Sequence, residues 1–449
     1  MFLKYSTLFA SILAVSMALQ AGQRPITLDD AIAIALKQNQ GVAIARYGIN
    51  KAEAQAKEAL GNALPTVSVS ANYQRNIQAP VFFVPNFSDP SSGTLMPVRF
   101  GLNNAYNAGA SFSQILFNSA VFGGIGAADV YVQAAREQYR ATVAEVVTET
   151  KKRYYGSLVA REFMRIAQAT LDNALANKQN IDVLFKEGLV AEYDAIRVNV
   201  FVENVRPQLT SAQAGYKNAV SALMTYLSVD LSDTLNPESI TLQEPGDLPE
   251  VEAAIQQALG ANYELQALAK SLDVTDRLVG VYRSSYYPSL SLFGQYQNSG
   301  QSDNLSSWVS ASQFFVGLSF NVNLFSGFKV QAQVEQAQAD FQSAKERYNQ
   351  LKNMIRLQVT ATLNDLASAK ERIEAQVSTV EQAQRGYEIA KIRYAEGVGS
   401  LLEINDSQTA LSQAQVNQQS ALFDFYIRLA DFERVTGQVS EKYMRMASL

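Results

Sequence analysis

Gly109-Ala110-Ser111-Phe112-Ser113-Gln114-Ile115-Leu116-Phe117 returns 208 positions later (317 − 109) as Gly317-Leu318-Ser319-Phe320-Asn321-Val322-Asn323-Leu324-Phe325, with Gly, Ser, Phe, Leu and Phe kept in place. Upstream, Ala35-Leu36 with Asn39 matches Ala258-Leu259 with Asn262, Pro65 matches Pro288, Ser68 matches Ser291, and Tyr73-Gln74 matches Tyr296-Gln297, all at an offset of 223 (288 − 65). Downstream, Gln133, Ala135, Glu137 and Tyr139 match Gln342, Ala344, Glu346 and Tyr348 at 209 (342 − 133), as do Glu187-Gly188 and Glu396-Gly397. The change of offset falls in one loop while the landmarks keep their order, so the chain reads as an internal two-fold repeat. The expected halves are residues 22–247 and 248–449, each running helix, β-hairpin, helical hairpin.

The hairpins are read from period-2 patterning. In Val67-Ser68-Val69-Ser70-Ala71-Asn72-Tyr73-Gln74 apolar and polar residues alternate, as in a strand with two unlike faces. Leu290-Ser291-Leu292 and Val316 to Leu324 repeat the pattern, and Ala108 to Phe117 does so more weakly. The polar members are Ser, Asn and Gln, which suit a wet lumen; their neighbours suit lipid or a protein core. The hairpins are expected at about 65–117 and 288–325. Ile77 to Ala105 carries Pro80, Pro85, Pro90 and Pro97 with Phe82, Phe83 and Phe87, and is expected to be a long irregular loop at the first hairpin tip. The shorter counterpart, about Ser299 to Ser312, holds the single tryptophan, Trp308. No other strand-like segment is read, which counts against a soluble sheet with a second layer.

From about Ala120 to Lys186 and from about Phe328 to Ala395 there is no proline and little turn chemistry, which predicts two helices of roughly 65 residues, or about 100 Å at 1.5 Å per residue. Phe341, Ala344, Tyr348, Leu351 and Ile355 step by three and four, the coiled-coil spacing, and Val132, Ala135, Tyr139, Thr142 and Val146 hold the matching positions. Each long helix ends near glycine (Gly188; Gly397 and Gly399), and return helices are expected over Glu192–Leu227 and Leu401–Val435, the first kinked at Pro207. Asp29-Asp30 after Thr27 reads as a helix start with Thr27 as its cap.

Composition removes most catalytic chemistry. The 449 residues include no Cys and no His, so there is no disulfide, no thiol nucleophile, no Cys or His zinc site and no Ser-His-Asp triad. No Walker motif, GxGxxG, GxSxG or EF-hand loop is present, so no cofactor is expected and the chain does not read as an enzyme. A net charge of −5 without a long basic run argues against nucleic acid as a partner. Lys4, the apolar stretch Leu8 to about Leu19 and the small residues to Ala21 read as a secretory signal peptide over 1–21. No Cys follows it, so an N-terminal lipid anchor is not expected. Beyond it no run of about 18 apolar residues suits a transmembrane helix, so membrane entry would have to use β-structure.

Four strands cannot close a barrel, since the smallest membrane barrels have about eight, and an open sheet edge is not tolerated in lipid. Several copies must therefore contribute. Three would supply twelve strands and two only eight, and the sequence does not choose between them.

An exported chain of two repeats, each with a Pro-led strand hairpin and a long helical hairpin, resembles the TolC-like outer membrane efflux protein family from Ile26 to about Gly437. The tips, Phe185-Lys186-Glu187-Gly188-Leu189 to Asp194 and Arg393-Tyr394-Ala395-Glu396-Gly397-Val398 to Glu403, are similar to the family's pattern of an aromatic residue, a turn glycine and a following acidic residue. The resemblance implies a mainly α fold with a membrane β-barrel portion: a homotrimer with four strands per chain in a shared twelve-stranded barrel, continuous with a twelve-helix periplasmic tunnel. It implies residence in the outer membrane of a Gram-negative bacterium, in contact with its lipid, and a periplasmic adaptor and inner-membrane transporter as partners. It further implies a passive exit duct for drugs, metals or polypeptides, as in efflux or type I secretion.

Within that frame the tips carry the site. Glu403 and Asp406 lie three residues apart on one helix face, where a three-fold axis would gather the carboxylates of every copy into a constriction. Their counterparts in the first repeat are Asp194 and Arg197, and with Tyr394 these are expected to form a polar network holding the end shut. The family often places an Arg two residues after the second turn glycine, where this chain has Gly399. Gly188, Leu189, Gly397 and Val398 resemble the family's adaptor-docking tips; glycine there also fits a helix C-cap. Tyr73, Tyr106, Phe117, Tyr296 and Phe325 near strand ends are candidates for aromatic girdles. The competing reading is a periplasmic scaffold or adaptor that bridges the membranes without a pore, although such a chain would normally show one helical hairpin flanked by β-domains.

Overall fold

The computed structural model describes residues 24–78, 80–88, 93–99, 101–230, 235–238 and 246–447. The expected signal peptide, 1–21, lies outside them. In chain order the elements are β1 (Arg24–Ile26), α1 (Leu28–Gln38), α2 (Gln40–Gly61), β2 (Thr66–Arg75), β3 (Val81–Pro85), β4 (Leu95–Arg99), β5 (Asn104–Asn118), α3 (Ser119–Lys186), α4 (Glu192–Leu227), β6 (Leu235–Pro237), α5 (Val251–Ala261), α6 (Tyr263–Arg283), β7 (Ser289–Ser302), β8 (Val309–Asn321), α7 (Lys329–Ala395), α8 (Leu401–Val435) and α9 (Glu441–Ala447). They fall into two compact units: one takes the chain to Ile49, Ala135–Ala269 and Arg347 onward, the other Asn50–Ala134 and Lys270–Glu346.

In the first, helical unit, Thr27 caps α1 through a capping box. Its Oγ1 accepts the Asp30 N–H (3.1 Å), and the Asp30 carboxylate accepts the Thr27 N–H (3.3 Å). Two asparagines interrupt the helices. Asn39 Oδ1 accepts the Gly41 N–H (2.8 Å) while its Nδ2 donates to Tyr226 O (3.0 Å). Asn262 Oδ1 accepts the Leu265 N–H (2.9 Å) while its Nδ2 donates to Val435 O (2.9 Å). Each thus starts the next helix and holds the end of a return helix. Around them Ile32, Leu36, Val143, Val147, Leu223 and Leu227 form one core, and Ile355, Val359, Leu363, Leu366, Phe425 and Val435 another. On α7 the buried Ile355, Val359, Leu363, Leu366, Ala369 and Ile373 keep helical steps of three and four, which is why so long a helix has a single buried stripe.

Tyr154, fully buried, donates its hydroxyl to Ile26 O (2.8 Å) and Glu238 O (3.0 Å), tying down the parallel pair β1–β6. Its hydroxyl is pushed up to about 12, first by burial and then by the Glu238 carboxylate. α9 is clamped to α1: Asp29 accepts from Lys442 Nζ (2.8 Å) and Tyr443 Oη (2.6 Å). The hydrogen bond from Lys442, then that from Tyr443, holds the Asp29 carboxyl below its usual range.

The second unit is organised by a four-stranded antiparallel sheet of order β2-β5-β7-β8. Its register sorts the side chains into two faces. Ser68, Ser111, Gln295 and Phe315 lie in one row, and Ser70, Gly109, Gln297 and Gln313 in the next row of the same face. The opposite face carries the rows Val67, Phe112, Gly294, Val316 and Val69, Ala110, Tyr296, Phe314. On the polar face Ser68 and Ser111 hydroxyls are 2.7 Å apart and Gln295 Nε2 donates to Gln297 Oε1 (3.0 Å). Arg75 is the one charged residue in these strands. Val67, Val69, Phe314, Val316, Leu318 and Phe320 on the other face are all exposed. Among the described residues the sheet does not close: β2 and β8 are its edges.

Two pairings depart from the sequence reading. The segment expected to be an irregular loop contains the hairpin β3–β4, in which Phe83 faces Pro97 and Pro85 faces Leu95. A two-stranded ribbon has an outer side on which proline's missing N–H costs nothing, so these prolines do not prevent it. The parallel pair β1–β6 was not expected either; its strands are three residues each and far apart in sequence.

Candidate functional site

The helical hairpins turn at their glycines. α3 ends at Lys186 and Gly188 takes φ +75°; its N–H bonds Phe185 O (2.9 Å) and the Leu189 N–H bonds Leu184 O (2.9 Å). α7 ends at Ala395 and Gly397 takes φ +72°, with its N–H on Tyr394 O (3.0 Å) and the Val398 N–H on Arg393 O (3.0 Å). These paired reverse bonds close a helix on a left-handed residue, a conformation that glycine adopts without penalty. Apart from each glycine and its two chain neighbours, no described residue comes within 4 Å of where a Cβ would project, and Leu189 and Val398 beyond them are 68% and 67% exposed. Each tip therefore presents bare backbone next to an uncovered apolar side chain. At Gly399 the fit is tighter: a Cβ would come 3.0 Å from both Arg393 Cβ and Tyr394 N, so a side chain there would require the turn to give by a few tenths of an ångström.

The two tips meet within one chain. Ile181, Val198 and Leu401 are buried together, with Val190, Ala195 and Tyr394 packed on them. Tyr394, the aromatic of the second tip, keeps its hydroxyl buried without a hydrogen-bond partner among the described residues. Burial, and next the nearby Asp194 carboxylate, pushes that hydroxyl up.

Glu403 is held locally. Its N–H is capped by Ser400 Oγ (3.3 Å) and its carboxylate meets Arg393 Nε at 3.3 Å, while Arg393 Nη2 also donates to Val398 O (3.1 Å). Asp406, one turn on, is exposed and makes no ion pair among the described residues. On the first tip the Asp194 N–H bonds Ala191 O (3.0 Å), and the Arg197 guanidinium stands 5.9 Å from the Tyr193 ring centroid. The structure thus brings Tyr394 near Asp194, and Glu403 to Arg393. It shows no bond from Arg197 to Asp194 or to Tyr394 within the chain. Arg393 was not among the expected network residues; the signal that could have found it is a pair of opposite charges flanking a glycine turn.

No described helix is long and apolar enough to cross a membrane. Among the described residues no cluster of acidic side chains could hold a metal ion.

The family model described as outer membrane efflux protein matches residues 31–229 and 254–438. The outer membrane protein TolC of Vibrio cholerae is 23% identical over 343 residues, 75% of this chain and 77% of that protein. TolC of Escherichia coli is 21% identical over 355 residues, 76% of this chain and 71% of that protein. The crystal structure of the Campylobacter jejuni CmeC outer membrane channel superposes with a TM-score of 0.75 at 21% identity, over 94% of this chain and 89% of that one, which shows a shared fold. With all four strands of the larger sheet and both glycine tips inside the matched residues, the chain belongs to the outer membrane efflux protein family.

Proposed function

We propose that the chain is the exit duct of a tripartite export system, resident in the outer membrane of a Gram-negative bacterium and reaching into the periplasm. Three copies pool their strands into a twelve-stranded barrel and their helical hairpins into a twelve-helix tunnel. An inner-membrane transporter supplies the energy and a periplasmic adaptor docks on the tips at Gly188-Leu189 and Gly397-Val398. The observation that carries this reading is the four-stranded sheet with one neutral hydrogen-bonding face, one exposed apolar face and two open edges. Open edges are not stable in lipid, so further copies are required, and the polar face then lines water. The halves 22–247 and 248–449 act as two copies of one unit, supported by the like bonding of Asn39 and Asn262.

The gate lies at the tips. Glu403 and Asp406 line the constriction, and Asp194, Arg197 and Tyr394 form the network that holds it shut. With glycine at 399, the Arg393–Glu403 pair supplies the cationic brace on the other side of the turn. Tyr73, Tyr106 and Phe117 near strand ends and Phe325 just beyond β8 flank the apolar band as interfacial aromatics, whereas Tyr296, expected near a strand end, lies at the middle of β7 and within the band.

Reconstituted in a planar bilayer, the protein is expected to give discrete conductance steps that prefer cations. Glu403→Gln with Asp406→Asn should remove most of that preference, read from the reversal potential in a salt gradient. Absence of any conductance would leave the non-pore scaffold standing. Conductance with an unchanged reversal potential would take the constriction away from these carboxylates.

A further inference from the structure

The hydroxyl and amide face of the four-stranded sheet is broken at one patch. Following the register, Phe293 on β7 lies on that face between Ser113 of β5 and Gly317 of β8, and Phe315 of β8 lies one row on, opposite Gln295. Among the described strands of the sheet these are the aromatic residues on this face, and no charged side chain shares it. They are diagonal neighbours on adjacent strands, a spacing that aromatic side chains can bridge. Their ring centroids lie 6.1 Å apart with the planes at 73°, an edge-to-face pair.

Glycine makes the pair possible. A Cβ at Gly317 would come 2.7 Å from Phe293 Cζ, so the Phe293 ring fills the space that any side chain at 317 would need. Phe293 is half-buried in this way, while Phe315 is 40% exposed. By the offsets of the sequence repeat, the matching positions in the first half are Ser70 (293 − 223) and Asn107 (315 − 208), both polar and both on the same face of the sheet. Strand formation is thus met there without rings, and the second half carries two rings for another reason. Apolar surface facing water is unfavourable unless something covers it.

The surroundings select what could cover it. Gln295 Nε2 and Gln313 Nε2 both donate to Gln297 Oε1 (3.0 and 3.4 Å), an amide row beside the rings, and Ser111 and Ser113 supply hydroxyls on the neighbouring strand. A metal ion would find no carboxylate or imidazole here. A flat ring system would find an aromatic surface to stack on and neutral donors and acceptors at its edge. We propose that Phe293 and Phe315 form a shelf on the duct wall that holds planar aromatic molecules in passing, the rings supplying the stacking surface and the glutamine row hydrogen bonds at its border. The inference rests on the duct reading, since it needs this face to line the water-filled passage. Three copies would then carry three shelves at one height, separated by the polar panels of β2 and β5.

The probe is proflavine, a planar tricyclic aromatic cation, with triethylammonium as a cation without a ring. In planar bilayers proflavine should interrupt the single-channel current of the wild-type protein, and the interruptions should be about fivefold shorter in Phe293→Leu and in Phe315→Gln. Triethylammonium should act alike on all three. Phe315→Gln continues the glutamines of this face at an exposed position, so it keeps the test decisive should Phe293→Leu fail to assemble. Phe320→Leu, which removes a 69% exposed ring from the opposite face, should leave the proflavine interruptions unchanged. Absence of interruptions, interruptions equally long in the shelf variants, or equal shortening by Phe320→Leu would overturn the proposal. Fluorescence anisotropy of proflavine on the detergent-solubilised particle makes the same comparison without conductance. If wild type conducts nothing, the duct reading fails on its own; affinity about fivefold weaker in Phe315→Gln then keeps the shelf as a binding site, and equal affinity removes it.

Discussion

Glutamine at both Gly188 and Gly397 is expected to abolish export in cells while the assembled particle still forms. The left-handed backbone at φ +75° and +72° costs an L-residue about 1–2 kcal/mol at each position, spent at helix ends remote from the cores around Leu227 and Leu366. Space is not the obstacle within the chain, since no described residue other than the immediate chain neighbours comes within 4 Å of either new Cβ. What changes is the surface: a long polar side chain would stand beside Leu189 and Val398, on the backbone proposed to receive the adaptor. Export with the cognate adaptor and pump should fall by tenfold or more at unchanged levels of assembled protein. Asparagine, which tolerates the left-handed region, separates projection from strain. Retained export with Asn and loss with Gln points to the docking surface, whereas loss of assembly in both reduces the glycines to helix caps.

The second large effect concerns which face of the sheet meets lipid. Leu318 lies opposite Leu292 on the apolar face and is 65% exposed; Gln313 lies opposite Gln297 on the polar face. In the proposed barrel Leu318→Arg would place a charge in hydrocarbon, at about 2–4 kcal/mol per chain near the membrane midplane, in each of three copies. Gln313→Arg would place the same charge in the proposed lumen. The first variant should vanish from the assembled outer-membrane fraction, and the second should assemble and shift reversal potential toward anions. The reverse pattern would turn the sheet inside out, and tolerance of both would remove it from the membrane.

The long elements were legible because nothing interrupts them. Glu192–Leu227 and Leu401–Val435 occur with the bounds read from the sequence, and α3 and α7 begin within a residue of expectation. Glycine after an unbroken run signals a helix end through a purely local cause, so both tips could be placed. Pro207 lies inside α4, as read from the sequence. The pairings that escaped depend on distant partners. β1 and β6 are short, and they are held by a Tyr154 hydroxyl that belongs to neither strand. β3 and β4 were hidden by prolines that a ribbon tolerates. At the site, spacing could put Glu403 and Asp406 on one helix face, but the reach of Arg393 to Glu403 follows from the turn geometry.

The most direct test of the account is the mass of the particle. Extracted from the membrane fraction in mild detergent and measured by light scattering corrected for bound detergent, the protein should contain three chains, each adding its open four-stranded sheet to the proposed twelve-stranded barrel. A soluble monomer would contradict the shared barrel and return the sheet to a periplasmic domain, and a stable dimer would contradict the twelve-stranded closure.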